Sequence, residues 1–360
     1  MNLVLHLGLH RAASSSLQAW IANARPLLAE ASILVLPSAA EPEARPVFAA
    51  LSGVLLRRAG PAAVANAVAA ELDRLQQSWR AVVISDENML GPFPGGEGPA
   101  FAALGDLCTV IGRVASHHEV VPVLVLREHL AWLASLYRVA QFRADVRRFE
   151  AFADEVLPGQ MPFSNLLTAL AAAAGRRPVV AALEAIAEDA GQAFLANLLA
   201  ELGVDDAGGP LFTHQNPAHR PLAASLRQIA QRRGGFLLLE DDATLQKLLA
   251  RIEDNPANRT PANLHTAARH IAARTVRISQ GLPFQERLAR ARVRLARQST
   301  GNLLSLPQAE AILRRAIALA QLPLAGEAVR AQLARRFAAD RQAVSTAFGL
   351  PWPTPHEEVP

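Results

Sequence analysis

Three side chains are nearly missing from this 360-residue sequence, which holds one cysteine, one lysine and one tyrosine, and aromatic residues make up only 5% of it. The lone Cys108 excludes an intramolecular disulfide and a cysteine-based zinc site, and its place in an apolar helical stretch reads as a small core residue. No apolar run reaches the roughly 18 residues that a spanning helix needs. Met1-Asn2-Leu3-Val4-Leu5 has neither a basic region nor a small-residue cleavage site. The expectation is a cytoplasmic protein with no membrane span. Lys247 is the only lysine among 36 basic residues, so a position where chemistry asks for lysine is expected to carry arginine here. The net charge is +4, and the isoelectric point of about 10.3 reflects this arginine excess rather than a basic face, so nucleic acid is not an expected partner.

Against these absences stands a 51% hydrophobic composition, enough for a large core. Short apolar runs at 3–7, 33–36, 81–85, 120–126 and 178–183 read as strands buried on both faces. Helical periodicity lies between them at 62–79, 100–114 and 129–147. Alternation of this kind predicts an α/β fold with a parallel central sheet flanked by helices. Beyond residue 221 the pattern is helical, rich in Ala, Leu and Arg, without a convincing strand. We therefore expect an α/β core over 1–220, a helical cap or insertion over 221–330, and a closing helix and tail over 331–360. The cap is expected to pack over the open edge of the core, and its helices are a candidate homodimer surface. Two stretches look irregular, 91–99 and 203–210, and the first is a candidate lid at the carboxyl edge of a strand.

The strongest local signal is the turn from the first strand into the first helix, Gly8-Leu9-His10-Arg11-Ala12-Ala13-Ser14-Ser15-Ser16-Leu17-Gln18. Backbone N–H groups at a helix start, joined to the positive end of the helix dipole, make an anion site, and Arg11 and the serine hydroxyls add donors. Serine is expected to supply the N-cap. The segment is not a Walker A loop: Ala13 stands where the second glycine belongs and Ser14 where the lysine belongs. Glu87, just past the third strand, is a candidate general base, with His10 as the second. Asp86-Glu87 also reads as the acidic pair of a P-loop kinase or NTPase. His117 and His118 read as solvated turn residues.

The loop resembles the 5′-phosphosulfate loop of bacterial sulfotransferases, which typically reads Gly-x-His-Lys-Thr-Gly-Thr-Thr-Ser-Leu-Gln. Here Arg11 stands for the lysine, Ala13 for the glycine, and Ala12 and Ser14 for threonines. Downstream, Arg127 ends an apolar strand and Ser135 follows eight residues later, similar to that family's 3′-phosphate element. Weaker similarities lie in Val82-Val83-Ile84-Ser85-Asp86-Glu87, in 194–203 with Asn216-Pro217, and in 334–349. The resemblance implies a P-loop-type sulfotransferase fold that transfers a sulfuryl group from 3′-phosphoadenylyl sulfate (PAPS) to a hydroxyl acceptor, leaving 3′,5′-adenosine bisphosphate (PAP), with no metal. It implies Arg11, Ala12, Ala13, Ser14, Ser15 and Ser16 around the 5′-phosphosulfate, Arg127 and Ser135 on the 3′-phosphate, and Arg11, Glu87 and His10 in the chemistry. Carbohydrate, lipid and small-molecule hydroxyls are all open as acceptors. The alternative is a relative that has lost catalysis and binds, motivated by Ala12 and Ala13.

Overall fold

The computed structural model describes residues 1–36, 59–94, 99–143, 149–157, 163–189, 191–204, 221–232, 235–239, 241–277, 284–297, 303–320, 326–350 and 352. Residues 95–98 of the candidate lid, 205–210 of the second irregular stretch, and Asn216-Pro217 lie outside them. The chain divides into two compact units. The first comprises Met1–Leu136, Arg148–Gln215 and Glu327–Val359, and the second Tyr137–Arg147 and Asn216–Gly326.

The first unit is built on five parallel strands: β1 (Asn2–Leu7), β2 (Ile33–Leu36), β3 (Ala81–Asp86), β4 (Glu119–Leu126) and β5 (Val179–Ala182). Their order is β2-β3-β1-β4-β5, neither the 3-2-1-4-5-6 of dinucleotide-binding sheets nor the 2-1-3-4-5 of flavodoxin-like ones. Only the step from β1 to β2 runs toward the β2 edge. Right-handed crossovers therefore put α1 (Ser14–Glu30) on one face, and the helices that follow β2, β3 and β4 on the other. Packing agrees. Leu17, Trp20, Ile21, Ala24 and Leu28 of α1 form one cluster with Val4, Val83, Val121, Val123 and Val125.

The opposite face carries α2 (Pro61–Leu75), α3 (Leu104–Ala115) and, after α4 (His129–Arg143) and α5 (Phe149–Val156), α6 (Phe163–Ala174). Helix α2 packs on α3, α3 on α6, and both α3 and α6 on β4. Past β5 come α7 (Leu183–Asp189) and α8 (Gln192–Glu201), and Phe194, Leu195, Leu198 and Leu199 of α8 join the α1 cluster. Strand β1 is thus the central strand, and its neighbours β3 and β4 send their chains to the face that α1 does not occupy. Its carboxyl end is a topological switch point, where open α/β sheets bind ligands.

The second unit holds α9 (Pro221–Arg232), β6 (Gly235–Leu237), α10 (Ala243–Asp254), α11 (Pro261–Arg274), β7 (Thr275–Arg277), α12 (Phe284–Arg297) and α13 (Leu306–Ala320). Helices α9, α10, α11 and α13 share a core that includes Leu226, Leu249, Ile271 and Leu313. Two of the helix starts are specified locally: Asp242 accepts the Leu245 N–H to cap α10, and Thr260 precedes Pro261 at the start of α11. The expected absence of strands is corrected here, because β6 and β7 form a two-stranded antiparallel sheet. Each is three residues long, too short for a period-2 pattern to show. Helix α14 (Glu327–Phe348) returns to the first unit.

Two smaller expectations also change. His117 is exposed, but His118 is buried, with Nε2 3.4 Å from Asp73 Oδ1 of α2, and burial pulls its pKa down against the attraction of that carboxylate. Cys108 is half-buried, and burial pushes its thiol pKa up.

Candidate functional site

The loop leaving β1 is shaped by a close approach that only glycine permits. A Cβ on Gly8 would lie 2.6 Å from Glu87 Cα and 2.7 Å from Glu87 Cβ, so the end of β1 and the residue after β3 press against each other there. Gly8 N–H also donates to Asp86 C=O at 3.2 Å. The chain then turns, with Ala12 N–H donating to Leu9 C=O at 3.0 Å. Arg11 has φ +70° and Ala13 φ +59°, while Ala12 between them does not take a positive φ. Alternation of left- and right-handed residues turns successive N–H groups inward into a nest, a concavity that receives anions.

Ala13, not a serine, is the N-cap of α1, in a left-handed conformation (φ 59°, ψ 14°) with no side-chain cap bond. The serine-cap expectation is corrected. A left-handed alanine is strained by about 1–3 kcal/mol, and the surrounding contacts hold it. The first intrahelical bond is Leu17 N–H to Ala13 C=O at 3.0 Å. The N–H groups of Ser14, Ser15 and Ser16 precede it and have no intrahelical acceptor, which is the ordinary condition of a helix start. Ser14 turns its hydroxyl to Glu87, donating to Oε2 at 3.0 Å, and Ser16 is buried.

The downstream segment meets this loop. Arg127, the residue after β4, donates from Nη1 to Arg11 C=O at 3.4 Å, and Arg11 Nε–H donates to Ser135 Oγ of α4 at 3.1 Å. Trp132 of α4 donates its indole N–H to His10 C=O at 2.8 Å. The His10 ring lies 3.4 Å from Gly91 C=O through Nε2 and edge-on to Phe93, at 5.4 Å between centroids. Arg11, Ala12, Ala13, Ser14, Glu87, Arg127 and Ser135 are therefore gathered at the carboxyl ends of β1, β3 and β4. His10 faces residues 91–93, and Ser15 lies in the first turn of α1.

The charges here are only partly hydrated. Burial lowers the Arg127 pKa, opposed by the Glu184 and Glu128 carboxylates. Arginine nonetheless stays protonated. Glu184, at the start of α7, accepts the Glu128 N–H at 3.1 Å, and burial raises its pKa above the usual carboxylate range. Beneath the loop, His6 pairs in register with Ser85 on β3, and its Nδ1 lies 2.7 Å from Ser85 Oγ. Burial holds the His6 pKa down at about 4, so the ring is neutral under the loop.

Compared with protein-family models, with curated proteins and with solved structures, the chain matches none. The site therefore has to be read from its own geometry. That geometry includes residues that sequence reasoning missed. Trp132, Glu128 and Glu184 carry one available signal, their position just beyond an apolar strand. His129 and Asp340 carry none: Nε2 and Oδ2 meet at 2.6 Å across 211 residues of chain. Asp340, on α14, also accepts the N–H groups of Phe163 and Ser164 at 2.8 and 2.9 Å, capping α6. Burial pushes its carboxyl pKa up, but the bonds from His129 and Ser164 outweigh this and hold it below the usual range. The pair sits among Phe163 and Phe337, with ring centroids 4.3 and 4.7 Å from His129. It anchors the residue two positions beyond Arg127.

Proposed function

We propose that the loop from Gly8 to Ser16 holds the 5′-phosphosulfate of PAPS and that the chain transfers its sulfuryl group to a hydroxyl acceptor. The observation that carries this reading is the Arg11–Ser135 hydrogen bond, with Arg127 on the Arg11 carbonyl. It brings the segment that resembles a phosphosulfate loop and the segment that resembles a 3′-phosphate element to one place. A nucleotide with phosphates on both the 5′ and 3′ positions presents two anionic groups, and the site offers a backbone nest with Arg11 for one, and Arg127 with the Ser135 hydroxyl for the other.

In the reaction the acceptor oxygen attacks sulfur, the bond from sulfur to the bridging oxygen breaks, and that electron pair leaves with PAP. The acceptor proton passes to the Glu87 carboxylate, and Arg11 and the helix-start N–H groups stabilise the charge that grows on the leaving phosphate. Ser14, bonded to Glu87, orients that carboxylate. Arginine at position 11 offers a planar fork rather than a mobile point charge, so it serves better as a clamp on non-bridging oxygens than as a donor to the bridging one.

A second reading, a nucleotide-binding protein without turnover, is favoured by one feature: Ala12, wholly buried, and Ala13 bring no hydroxyl to the loop. Calorimetry with PAP, ADP and 5′-AMP tests the binding common to both readings. Tight binding of PAP alone supports it, and equal binding of all three removes the 3′-phosphate assignment. Release of PAP from labelled donor, with and without hydroxyl acceptors, separates the two. Release no faster than in buffer favours the non-catalytic protein.

A further inference from the structure

The corner after β4 places two carboxylates beside the arginine assigned to the 3′-phosphate. Arg127, Glu128 and Glu184, the last at the start of α7, all belong to the first unit. Strands β4 and β5 run parallel with Leu126 beside Ala182, so the residues that leave the two strands come out next to each other. Glu128 is fully employed there. Its Oε2 accepts the Ala131 N–H at 2.9 Å and caps α4, and its Oε1 lies 3.6 Å from Arg341 Nη1 of α14. Glu184 is not: its Oε1 accepts the Glu128 N–H at 3.1 Å, whereas its Oε2 is buried with no hydrogen-bond partner.

A buried carboxylate oxygen that no donor reaches is costly while it is charged, and such a group keeps its proton instead. Burial accordingly raises the Glu184 pKa, against the pull of backbone N–H groups and of Arg127. Among the described residues, Arg127 has no carboxylate at ion-pair distance, and the one bond from its guanidinium is the long contact, 3.4 Å, to Arg11 C=O. Glu184 is nonetheless the carboxylate that acts on it most strongly, ahead of Glu128. Neighbouring elements bring few other charges. Helix α8, packed on α7, carries only Glu201, which Arg176 holds, and β5 carries none. At the far end of α7 stand Glu188 and Asp189, and Asp189 accepts the Gly191 and Ala193 N–H groups. The charge on Glu184 thus decides whether Arg127 has a counter-ion.

We propose that Glu184 is a positioning residue for the 3′-phosphate site and acts through Arg127: protonated, it leaves the guanidinium to the ligand, and ionised, it takes the guanidinium and repels the phosphate. The inference rests on the reading of this corner as the place of a nucleotide 3′-phosphate. A phosphate set beside Arg127 favours the protonated carboxyl in turn, so nucleotide and proton bind together. The nucleotide is held best at lower pH, and a rise in pH loosens it.

The test compares the wild type with Glu184→Gln, which keeps an oxygen for the Glu128 N–H and cannot ionise. Without ligand, the folded carboxyl keeps a proton that the unfolded one has released. In denaturant unfolding the wild type should therefore lose stability relative to the variant as pH rises from 4.5, the unfolded value, to the folded pKa, and then run parallel to it. With PAP, calorimetry between about pH 5 and 9, the span in which buried carboxyls titrate, should show wild-type affinity falling about tenfold or more against the variant. Reference to the variant cancels the titration of the phosphate itself, and 5′-AMP, which has no 3′-phosphate, should show no such fall. The wild type alone gives a further readout that does not need the variant to fold. At about pH 7, above the second phosphate pKa, titrations in two buffers of different ionisation enthalpy should show protons taken up with PAP and not with 5′-AMP. Affinities that stay parallel across pH, a stability difference independent of pH, or no proton uptake overturns the inference and leaves the nucleotide reading standing. Absence of PAP binding at every pH in both proteins removes the nucleotide reading, and this inference with it.

Discussion

Arg11 Nε–H donates to Ser135 Oγ, 3.1 Å away, and so ties the loop after β1 to the helix after β4. Each partner has its own reason to be there. Arg11 is in a left-handed turn that aims its side chain from the loop, and Ser135 is buried on α4 two turns beyond Arg127. On the reading proposed above, Arg11 would serve the 5′ group of a nucleotide, and the Ser135 hydroxyl beside it would join Arg127 on the 3′-phosphate.

Ser135→Ala is accordingly expected to weaken PAP by about tenfold or more, since one hydrogen bond to a charged group is worth roughly 1.5–3 kcal/mol. It should leave 5′-AMP nearly unaffected. Arg127→Ala should do the same more strongly. Thermal shifts across the three ligands provide the check, and equal losses for PAP and 5′-AMP would assign Ser135 to the loop rather than to a 3′-phosphate.

Gly8→Ala tests the close approach at the other side of the loop. The new Cβ would stand 2.6 Å from backbone and 2.7 Å from side chain of Glu87, neither of which can swing away as a long side chain does. Overpacking of this kind costs about 1–3 kcal/mol. The melting temperature should fall, and nucleotide affinity should fall with it because the nest is pried open. Calorimetric unfolding of the two proteins settles the size of the loss, and an unchanged melting temperature would mean that the two strands separate freely here.

The parts of this fold that can be read from the sequence are the ones that local chemistry specifies. β1 to β5 are apolar runs because a parallel sheet covered on both faces leaves no polar side for alternation. The loop around Arg11 and Ser14 reads as an anion site because strand, turn and helix start are contiguous. The N-cap does not, since Ala13 takes a left-handed conformation that its side chain does not favour and that tertiary packing imposes. β6 and β7 pair across the whole of α10 and α11, and neither strand has length enough to announce itself. His129 and Asp340 lie 211 residues apart, a separation that no periodicity spans. His118 departs from expectation for a similar reason: its turn looks solvated, and tertiary packing that brings it to Asp73 of α2 leaves it buried.

His6 gives the protein a pH dependence of known sign. Its folded pKa, about 4, lies below the unfolded value of 6.5. The unfolded chain therefore binds a proton between these values and the native ring does not. Stability is full above pH 6.5, declines as pH falls toward 4, and is then level with respect to this group. The total loss is about 3 kcal/mol, because each tenfold difference in proton affinity between the folded and unfolded ring is worth roughly 1.4 kcal/mol. Chemical denaturation at a series of pH values should show this slope, and His6→Gln, which keeps a partner for Ser85 and does not titrate, should flatten it. An equal slope in both proteins would place the dependence on another group.

Asp340 should be the costliest single carboxylate to remove. Asp340→Ala deprives the buried His129 Nε2 and the backbone N–H groups of Phe163 and Ser164 of their acceptor at one stroke. Removing one member of a buried pair costs about 3–5 kcal/mol, enough to lower the melting temperature of a domain this size by several degrees. Asp340→Asn keeps one carbonyl oxygen to accept and an amide that can donate to His129 Nε2 if the ring changes tautomer, so it should recover part of the loss. The consequence for the site follows from position: His129 stands two residues after Arg127, and Glu128 between them has Arg341 of α14 3.6 Å from its Oε1. Loosening α14 at Asp340 should therefore free the corner that carries Arg127 and weaken PAP more than 5′-AMP, even in Asp340→Asn, which stays folded. Denaturant titration gives the stability order, and calorimetry of Asp340→Asn gives the ligand order. A stability loss with unchanged preference for PAP would confine Asp340 to holding helices together.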